Sequence, residues 1–461
     1  STPHPLPTFH SAHTSMQSSS AHAELEGVPA LGPPKSIEPA LDESCDEDSV
    51  VGELEEVAMI SDVAVGEEII LDENDPPPET DDDDDGDYDD GTSCADDAMD
   101  AQDLPTTYDP PAEDQSVQQL TAHTEPVFAV SVNAARPEMV VTGGGDDVAY
   151  LWRAGESVPI HRLEGHTDTV SSVGFSADGT MLATAGLDGT VRVWDPATGA
   201  LLIALEGPTQ GVNWLQWHAR GGVLLAGSED ATAWMWKLPE GTVMQIFSAH
   251  SSSVAYGGFA NNGRCVVTAS NDGTVRVWNP KAGTVDHCLH AGSMHDPVPI
   301  SCLGCHPVHP VFLFGAIDGR LKLAHAENGR LLAQLSAHEA SVESVGFCDC
   351  LQLAASAGMD GRLCVWDLTT FSLRHTCMHP GGVIELLWLR DAPLLLACSV
   401  ARELRLWDAR SGSCLQTMIG HHDTLLCMDV GYTQHGIFVV TGSDDRTARL
   451  WRPNPLSQAS A

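Results

Sequence analysis

The sequence predicts an all-β fold: an eight-bladed β-propeller closed by its own first strand and preceded by a long, disordered, acidic N-terminal arm. A seven-bladed ring is the alternative. Three observations carry this reading. Tryptophans recur at a nearly constant spacing, each ends a short alternation of apolar residues, and the negative charge is concentrated in the first quarter of the 461-residue chain.

The arm comes first. Residues 1–115 hold 33 acidic residues against one basic residue, Lys35, for a net charge of −32, whereas residues 116–461 hold 32 acidic and 21 basic residues, for −11. A segment so rich in Pro, Ser, Asp and Glu and so poor in aromatics cannot bury enough apolar surface to offset chain entropy, and disorder is expected. Its densest charge is the run Asp81, Asp82, Asp83, Asp84 and Asp85, downstream of an apolar triplet, Ile69-Ile70-Leu71, that is itself set among carboxylates. Phosphates and anionic membrane surfaces would be repelled, so direct nucleic-acid or membrane binding is disfavoured and a basic protein is the natural complement. A tail that only maintains solubility is the plainer alternative.

The opening "STPHPLPTFH" lacks the basic and apolar regions of a secretory signal, and no apolar run approaches the roughly 18 residues that cross a bilayer. A soluble, monomeric, intracellular protein is expected, cytoplasmic and with the nucleus open to it. Thirteen irregularly spaced cysteines suit a reducing compartment. Cys302 and Cys305 have CxxC spacing, but on a strand residues three apart face opposite ways, which argues against joint zinc ligation. No Gly-rich phosphate loop precedes a helix, and neither cofactor nor metal is expected.

The ring follows. "AYLW" ends at Trp152, "VRVW" at Trp194, "AWMW" at Trp236, "VRVW" at Trp278, "LCVW" at Trp366, "LRLW" at Trp407 and "ARLW" at Trp451, while the register implies one further unit ending "LKLA" at Ala324. The spacings are 42, 42, 42, 46, 42, 41 and 44 residues, the period of a four-stranded propeller blade. The tail after Trp451, "RPNPLSQASA", is too polar and proline-rich to supply a fourth strand. "SVQQL", residues 116–120, is therefore expected to complete the last blade, which removes two open sheet edges at once. In "VNWLQWH", Trp214 and Trp217 should face opposite ways, one filling the core and the other exposed.

The second unit, "GHTDTVSSVGFSADGTMLATAGLDGTVRVWDPATG", resembles a WD repeat, and the resemblance extends through all eight units. In that family a His, a Ser or Thr, an Asp and the Trp form a hydrogen-bonded set, here His166, Thr184, Asp188 and Trp194. The same quartet recurs as His123, Thr142, Asp146, Trp152; His250, Thr268, Asp272, Trp278; His338, Ser356, Asp360, Trp366; and His421, Thr441, Asp445, Trp451. Five equivalent copies argue for a structural network, which avoids unpaired buried polar groups, rather than for a hydrolase triad. Units three, five and seven depart from it at Pro208 and Ala226, at Phe314 and Ala324, and at Ala397 and Ala401, so they should lean on apolar packing.

The resemblance also implies where such a ring binds: on the top rim, beside the first residue of each inner strand and just before each turn Asp. The first set is Phe128, Ser171, Asn213, Ala255, Ser301, Glu343, Ile384 and Leu426; the second is Gly145, Leu187, Glu229, Asn271, Ile317, Met359, Val400 and Asp444. Apolar residues interspersed with Glu229, Glu343 and Asp444 suit a segment carrying both Lys/Arg and hydrophobic anchors. The alternative is that several of these side chains turn inward and line the channel.

"GVNWLQWHARGGVLLAGSEDATAWMWKLPEG", "GEEIILDENDPPP" and "RLWDARSG" together resemble the angio-associated migratory cell protein family of WD-repeat proteins, with its fungal counterpart, the dedicated chaperone of a large-subunit ribosomal protein of the L-ten/L-sixteen type. That resemblance implies a non-catalytic chaperone that captures a newly made basic ribosomal protein by its N-terminal segment and delivers it for large-subunit assembly. The arm would cover Lys/Arg surfaces destined for RNA, and the ring would supply an apolar grip. Three other roles remain open: a signalling or cell-migration scaffold; a chaperone of histones or other basic proteins; and a cullin-ligase substrate receptor, because "WDAR" at residues 407–410 resembles a WDxR box.

Overall fold

A computed structural model describes residues 113–293, 296–434 and 436–454; the acidic arm, with Asp81 to Asp85, lies outside the described residues. The described chain is built from eight four-stranded antiparallel sheets, which settles the blade number at eight. Blade one is typical, with strands Val127–Val132, Met139–Gly144, Ala149–Arg153 and His161–Leu163 running from the innermost to the outermost. The fifth unit, which lacks its tryptophan, is nonetheless a full blade of four strands from Ile300–Cys305 to Leu331–Leu335.

Blade eight takes three strands from the C-terminal part of the described residues, Leu425–Thr433, Gly436–Ser443 and Ala448–Trp451, and its outer strand, Gln118–Leu120, from their N-terminal part. The pairing is antiparallel, Gln118 opposite Leu450 and Leu120 opposite Ala448, and the Val117 N–H donates to the Leu450 carbonyl at 2.8 Å. An ion pair reinforces the closure. Arg449, 1% exposed, meets Asp114 at 2.6 Å, and Asp445 stands 3.8 Å away on its other side.

The apolar core is distributed as a cluster at every junction between neighbouring blades. Leu120, Val440 and Leu450 of blade eight pack with Val127, Val140 and Trp152 of blade one; Leu151 and Leu163 of blade one pack with Val170 and Phe175 of blade two; the pattern continues around the ring. A strand of alternating residues feeds two junctions, one from each face. Cys302 packs towards blade six and Cys305 towards blade four, which keeps their sulfurs on opposite faces.

Trp214 and Trp217 also point opposite ways, but both are buried, at 4% and 2% exposure, where one exposed ring was expected. The reason is that an inner strand has no solvent face. Trp214 donates across to the Val254 carbonyl of blade four at 3.1 Å, and Trp217 to the Gly174 carbonyl of blade two at 2.9 Å.

Each of the five quartets forms a chain of donors. In blade one, Trp152 Nε1–H donates to Thr142 Oγ1 at 2.9 Å, the threonine hydroxyl faces His123 Nε2 at 2.8 Å, and His123 Nδ1 faces Asp146 at 2.8 Å. With both Trp and Thr donating towards the histidine, Nδ1 carries the proton and the carboxylate accepts it. Blades two, four, six and eight repeat the Trp-to-hydroxyl and hydroxyl-to-His distances within 0.1 Å. In blade three Trp236 donates instead to the Glu206 carbonyl at 3.1 Å, and in blade seven Trp407 donates directly to His379 Nε2 at 3.0 Å, so each indole keeps a partner after the hydroxyl is lost.

Replacing Thr441 by Val would leave the Trp451 and His421 nitrogens buried and unpaired and should cost about 2–4 kcal/mol in equilibrium unfolding. Asp114→Ala, which deprives buried Arg449 of its nearer carboxylate but at a half-exposed position, should cost about 1–3 kcal/mol. Unchanged urea midpoints would mean that closure does not depend on these groups.

Candidate binding face

The first residue of every inner strand is followed by a β-bulge. The register skips between Val127 and Ala129, Val170 and Ser172, Val212 and Trp214, Val254 and Tyr256, Ile300 and Cys302, Val342 and Ser344, Val383 and Glu385, and Leu425 and Cys427. The residue passed over is in turn Phe128, Ser171, Asn213, Ala255, Ser301, Glu343, Ile384 and Leu426. A bulge re-aims a side chain out of the pleat, so these eight belong to one ring at the strand-opening end of the channel.

The second set is tied to the same end by a hydrogen bond repeated in every blade. The N–H of Gly145 donates to Pro126, Leu187 to Thr169, Glu229 to Gly211, Asn271 to Ser253, Ile317 to Pro299, Met359 to Ser341, Val400 to Gly382 and Asp444 to Thr424, at 2.8–3.2 Å. Each acceptor immediately precedes the opening residue of an inner strand. Phe128 lies against Gly145, where a Cβ would press on its ring, so the two sets touch as well as share a face.

Not every predicted rim side chain reaches solvent. Leu426 is 9% exposed and belongs to the core, which corrects its assignment as a contact residue. Ser171 and Ser301 are buried, and their hydroxyls donate to the carbonyls of Val212 and Val342 in the next blade; Asn213 likewise reaches Ser253 at 2.9 Å. These three bulge positions join blade to blade. Ile384 is half-buried against the core between blades seven and eight. Ile317 and Met359, on adjacent blades five and six, are open at 51% and 45%, and Glu229 is exposed; Phe128, Leu187, Glu343 and Asp444 are half-buried.

Carboxylates crowd this face. Burial, and then the charges of Asp168, Asp146 and Asp188, push the Asp147 carboxyl up, and burial alone raises Glu343. Asp444 is raised to about 6 by burial and then by the neighbouring Asp423 and Asp445. The turn acids of the quartets behave oppositely. Burial pulls Asp188, Asp272 and Asp445 up, but hydrogen bonds from His166, His250 and His421 and from backbone N–H groups bring them well below the ordinary carboxylate range. Of the arginines at this end, Arg320 and Arg362 are already paired with Asp318 and Glu339. The quartet histidines themselves have fully buried side chains and offer no reacting group to a substrate.

The other end of the channel holds a cavity of about 640 Å³ that sequence reasoning did not foresee, with Gln216, Trp388, Asp349, Arg390 and Tyr432 in its wall. The "WDAR" stretch is locally folded, Trp407 in the core and Arg410 paired with Asp408 at 3.3 Å. Among the described residues no helix is long and apolar enough to cross a membrane, and no group of three or more His, Cys, Asp or Glu could hold a metal.

Eight bulged inner strands, a quartet in five blades and a rim of apolar side chains and carboxylates define a WD-repeat β-propeller. The family profile described as "WD domain, G-beta repeat" matches residues 114–153, 157–195, 199–237, 241–279, 329–367 and 412–452, and passes over units five and seven. The human angio-associated migratory cell protein is 32% identical over 353 residues, covering 73% of this chain and 80% of the relative. An uncharacterised WD-repeat protein of Schizosaccharomyces pombe is 38% identical over 341 residues, covering 72% and 85%. The chain belongs to the WD-repeat family and, within it, to the group of the angio-associated migratory cell protein. In fold it is similar to Chaetomium thermophilum Sqt1 bound to the N-terminus of the ribosomal protein L10, with a TM-score of 0.68 and 22% identity, covering 74% of this chain and all of that one.

A folded-state pKa of about 6 against an ordinary 3.8 means that ionising Asp444 costs stability. The protonated carboxyl therefore adds stability at low pH, and that stability is lost as pH rises from the ordinary value through the folded one. A Lys or Arg docked beside Asp444 would relieve the penalty and release the proton. Affinity for a Lys/Arg-rich peptide should therefore rise about 3- to 10-fold between about pH 5 and about pH 7, and Asp444→Asn should flatten that profile. Calorimetry in two buffers of different ionisation enthalpy checks it; a pH-independent wild-type affinity would remove Asp444 from the contact.

Proposed function

We propose that this chain is a non-catalytic chaperone that binds the basic N-terminal segment of a newly made large-subunit ribosomal protein on its acidic rim and hands it on for subunit assembly. The observation that carries the reading is the mutual crowding of rim carboxylates beside open apolar side chains. Such a surface is relieved by cations and completed by a few hydrophobic anchors. The L10 segment bound to a protein of the same fold supports the choice of client.

The acidic arm extends the same electrostatics. It carries a net −32 within residues 1–115, and long-range attraction between opposite charges speeds encounter while desolvated anchors set how long a complex lasts. Before assembly a ribosomal protein exposes surfaces shaped for phosphates, and a carboxylate-rich arm covers them in a way that salt reverses. The site of action on this reading is the cytoplasm, with onward delivery towards the nucleus.

Affinity purification of the full chain at low and moderate salt, followed by mass spectrometry, tests the client: ribosomal proteins support the proposal, whereas histones, kinases or cullin components would replace it. Kinetics test the division of labour. Neutralising Asp81 to Asp85 with Asn should slow association and flatten its salt dependence with little change in dissociation. Ile317→Ser or Met359→Ser, on open positions that leave the core intact, should instead speed dissociation, each by about 1–3 kcal/mol if it lies at the centre of the contact. Folded rim variants that release the segment at the wild-type rate would move the site off this face.

A further inference from the structure

At the opposite end of the ring, the inner strand of blade six, Val342–Phe347, runs into a tight hairpin, Cys348-Asp349-Cys350-Leu351-Gln352, before the next strand starts at Leu353. The Cys348 and Cys350 sulfurs are 3.5 Å apart. Cys348 is buried and Cys350 exposed. The hairpin is held on both sides of the pair: the Cys348 N–H donates to the Leu353 carbonyl at 3.0 Å, and the Phe347 ring packs on His306 at 5.2 Å between centroids.

We propose that Cys348 and Cys350 form a reversible thiol–disulfide site at this mouth of the channel, oxidised by hydroperoxides and restored by a dithiol reductant. An S–S bond is about 2.05 Å long, so closure needs an approach of about 1.5 Å, which rotation of the exposed Cys350 side chain can supply. The accessible sulfur reacts first. Cys350, as thiolate, attacks the O–O bond of the hydroperoxide; the alcohol or water leaves, and Cys350 carries a sulfenic acid. The Cys348 sulfur then attacks the Cys350 sulfur, the S–O bond breaks, and water departs with the Cys348 thiol proton. Two thiols and one hydroperoxide become one disulfide, one alcohol and one water, and two electrons pass to the peroxide.

The order of events has a physical basis. Burial holds the Cys348 thiol well above the ordinary range, which makes it a poor first nucleophile but leaves it in place to resolve an oxidised neighbour. His306 supplies no cation nearby, since burial and then His309 lower its pKa to about 4. A crosslink between residues two apart closes almost no chain, so it does little to staple the fold. Its effect is local. Asp349, between the two cysteines in sequence, stands in the wall of the channel cavity, where burial raises its carboxyl against the charge of Arg390, whose guanidinium lies over the Tyr432 ring at 5.0 Å. Closing the disulfide re-aims that carboxylate at the channel mouth.

The sequence provides a clean assay, because trypsin releases residues 331–362, bounded by Arg330 and Arg362, with Cys348 and Cys350 as the only cysteines. The full chain is reduced, exposed to hydrogen peroxide under native conditions, blocked with N-ethylmaleimide and digested. The expected peptide has lost the mass of two hydrogens and carries no maleimide, and prior treatment with dithiothreitol restores double labelling. Cys350→Ser should abolish the loss, whereas Cys348→Ser should leave Cys350 as sulfenic or sulfinic acid; circular dichroism shows whether each variant is folded. Double maleimide labelling after peroxide, while exposed Cys288 and Cys414 are oxidised, would overturn the proposal. So would wild-type Cys350 recovered as sulfinic acid or joined to another peptide.

Discussion

The constraint on which everything else rests is that the inner strand of a blade has no solvent-facing side. An inner strand such as Val212–Trp217 puts Trp214 into the junction with blade four and Trp217 into the junction with blade two, and each junction is an apolar cluster shared by two blades. A single blade would leave both clusters open, and so would an incomplete ring at its ends. Closure is thus a condition of stability rather than an ornament of it. This is why the first strand of the described chain is the outer strand of the last blade, with Leu120 in the final junction.

Within that frame the polar quartets solve a second problem. Seven of the eight blades carry a tryptophan at the end of the third strand, and an indole N–H buried without a partner costs roughly 1–3 kcal/mol. Five blades answer with the hydroxyl, imidazole and carboxylate relay, blade three with a main-chain carbonyl, and blade seven with a histidine alone. Blade five removes the problem by replacing Trp with Ala324 and filling the space with Phe312 and Phe314, whose rings stack at 6.0 Å between centroids. The irregular blades are therefore different solutions of one packing requirement.

The sequence made the repeat legible because its signals are local: the Trp spacing, the alternation leading into it, and the His and Asp at fixed offsets. The rim was legible at the level of position, since Phe128, Glu343 and Ile384 all occupy the bulge and Ile317 and Met359 the adjoining turn. Exposure was not, because it depends on the neighbouring blade. Ser171 and Leu426 hold equivalent positions, yet one donates a hydrogen bond across a junction and the other sinks into the core. The proximity of Cys348 and Cys350, too, is a property of hairpin geometry that spacing alone does not reveal.

The electrostatics of the rim then follow from the fold rather than from composition alone. The closed ring has a modest excess of acid, −11 over residues 116–461, but the bulges and turns bring several carboxylates of neighbouring loops to one end. Burial, and then their mutual repulsion, raise Asp147 and Asp444 while the quartet acids next to them are lowered. Asp444 and Asp445 are consecutive and shift in opposite directions because Asp444 is buried beside carboxylates, whereas Asp445, also buried, accepts a hydrogen bond from His421. A stable fold can hold such repulsion only because the closed core and the relays outweigh it. Rigidity of the ring and concentration of carboxylates at its rim are, in this sense, two consequences of the same closure.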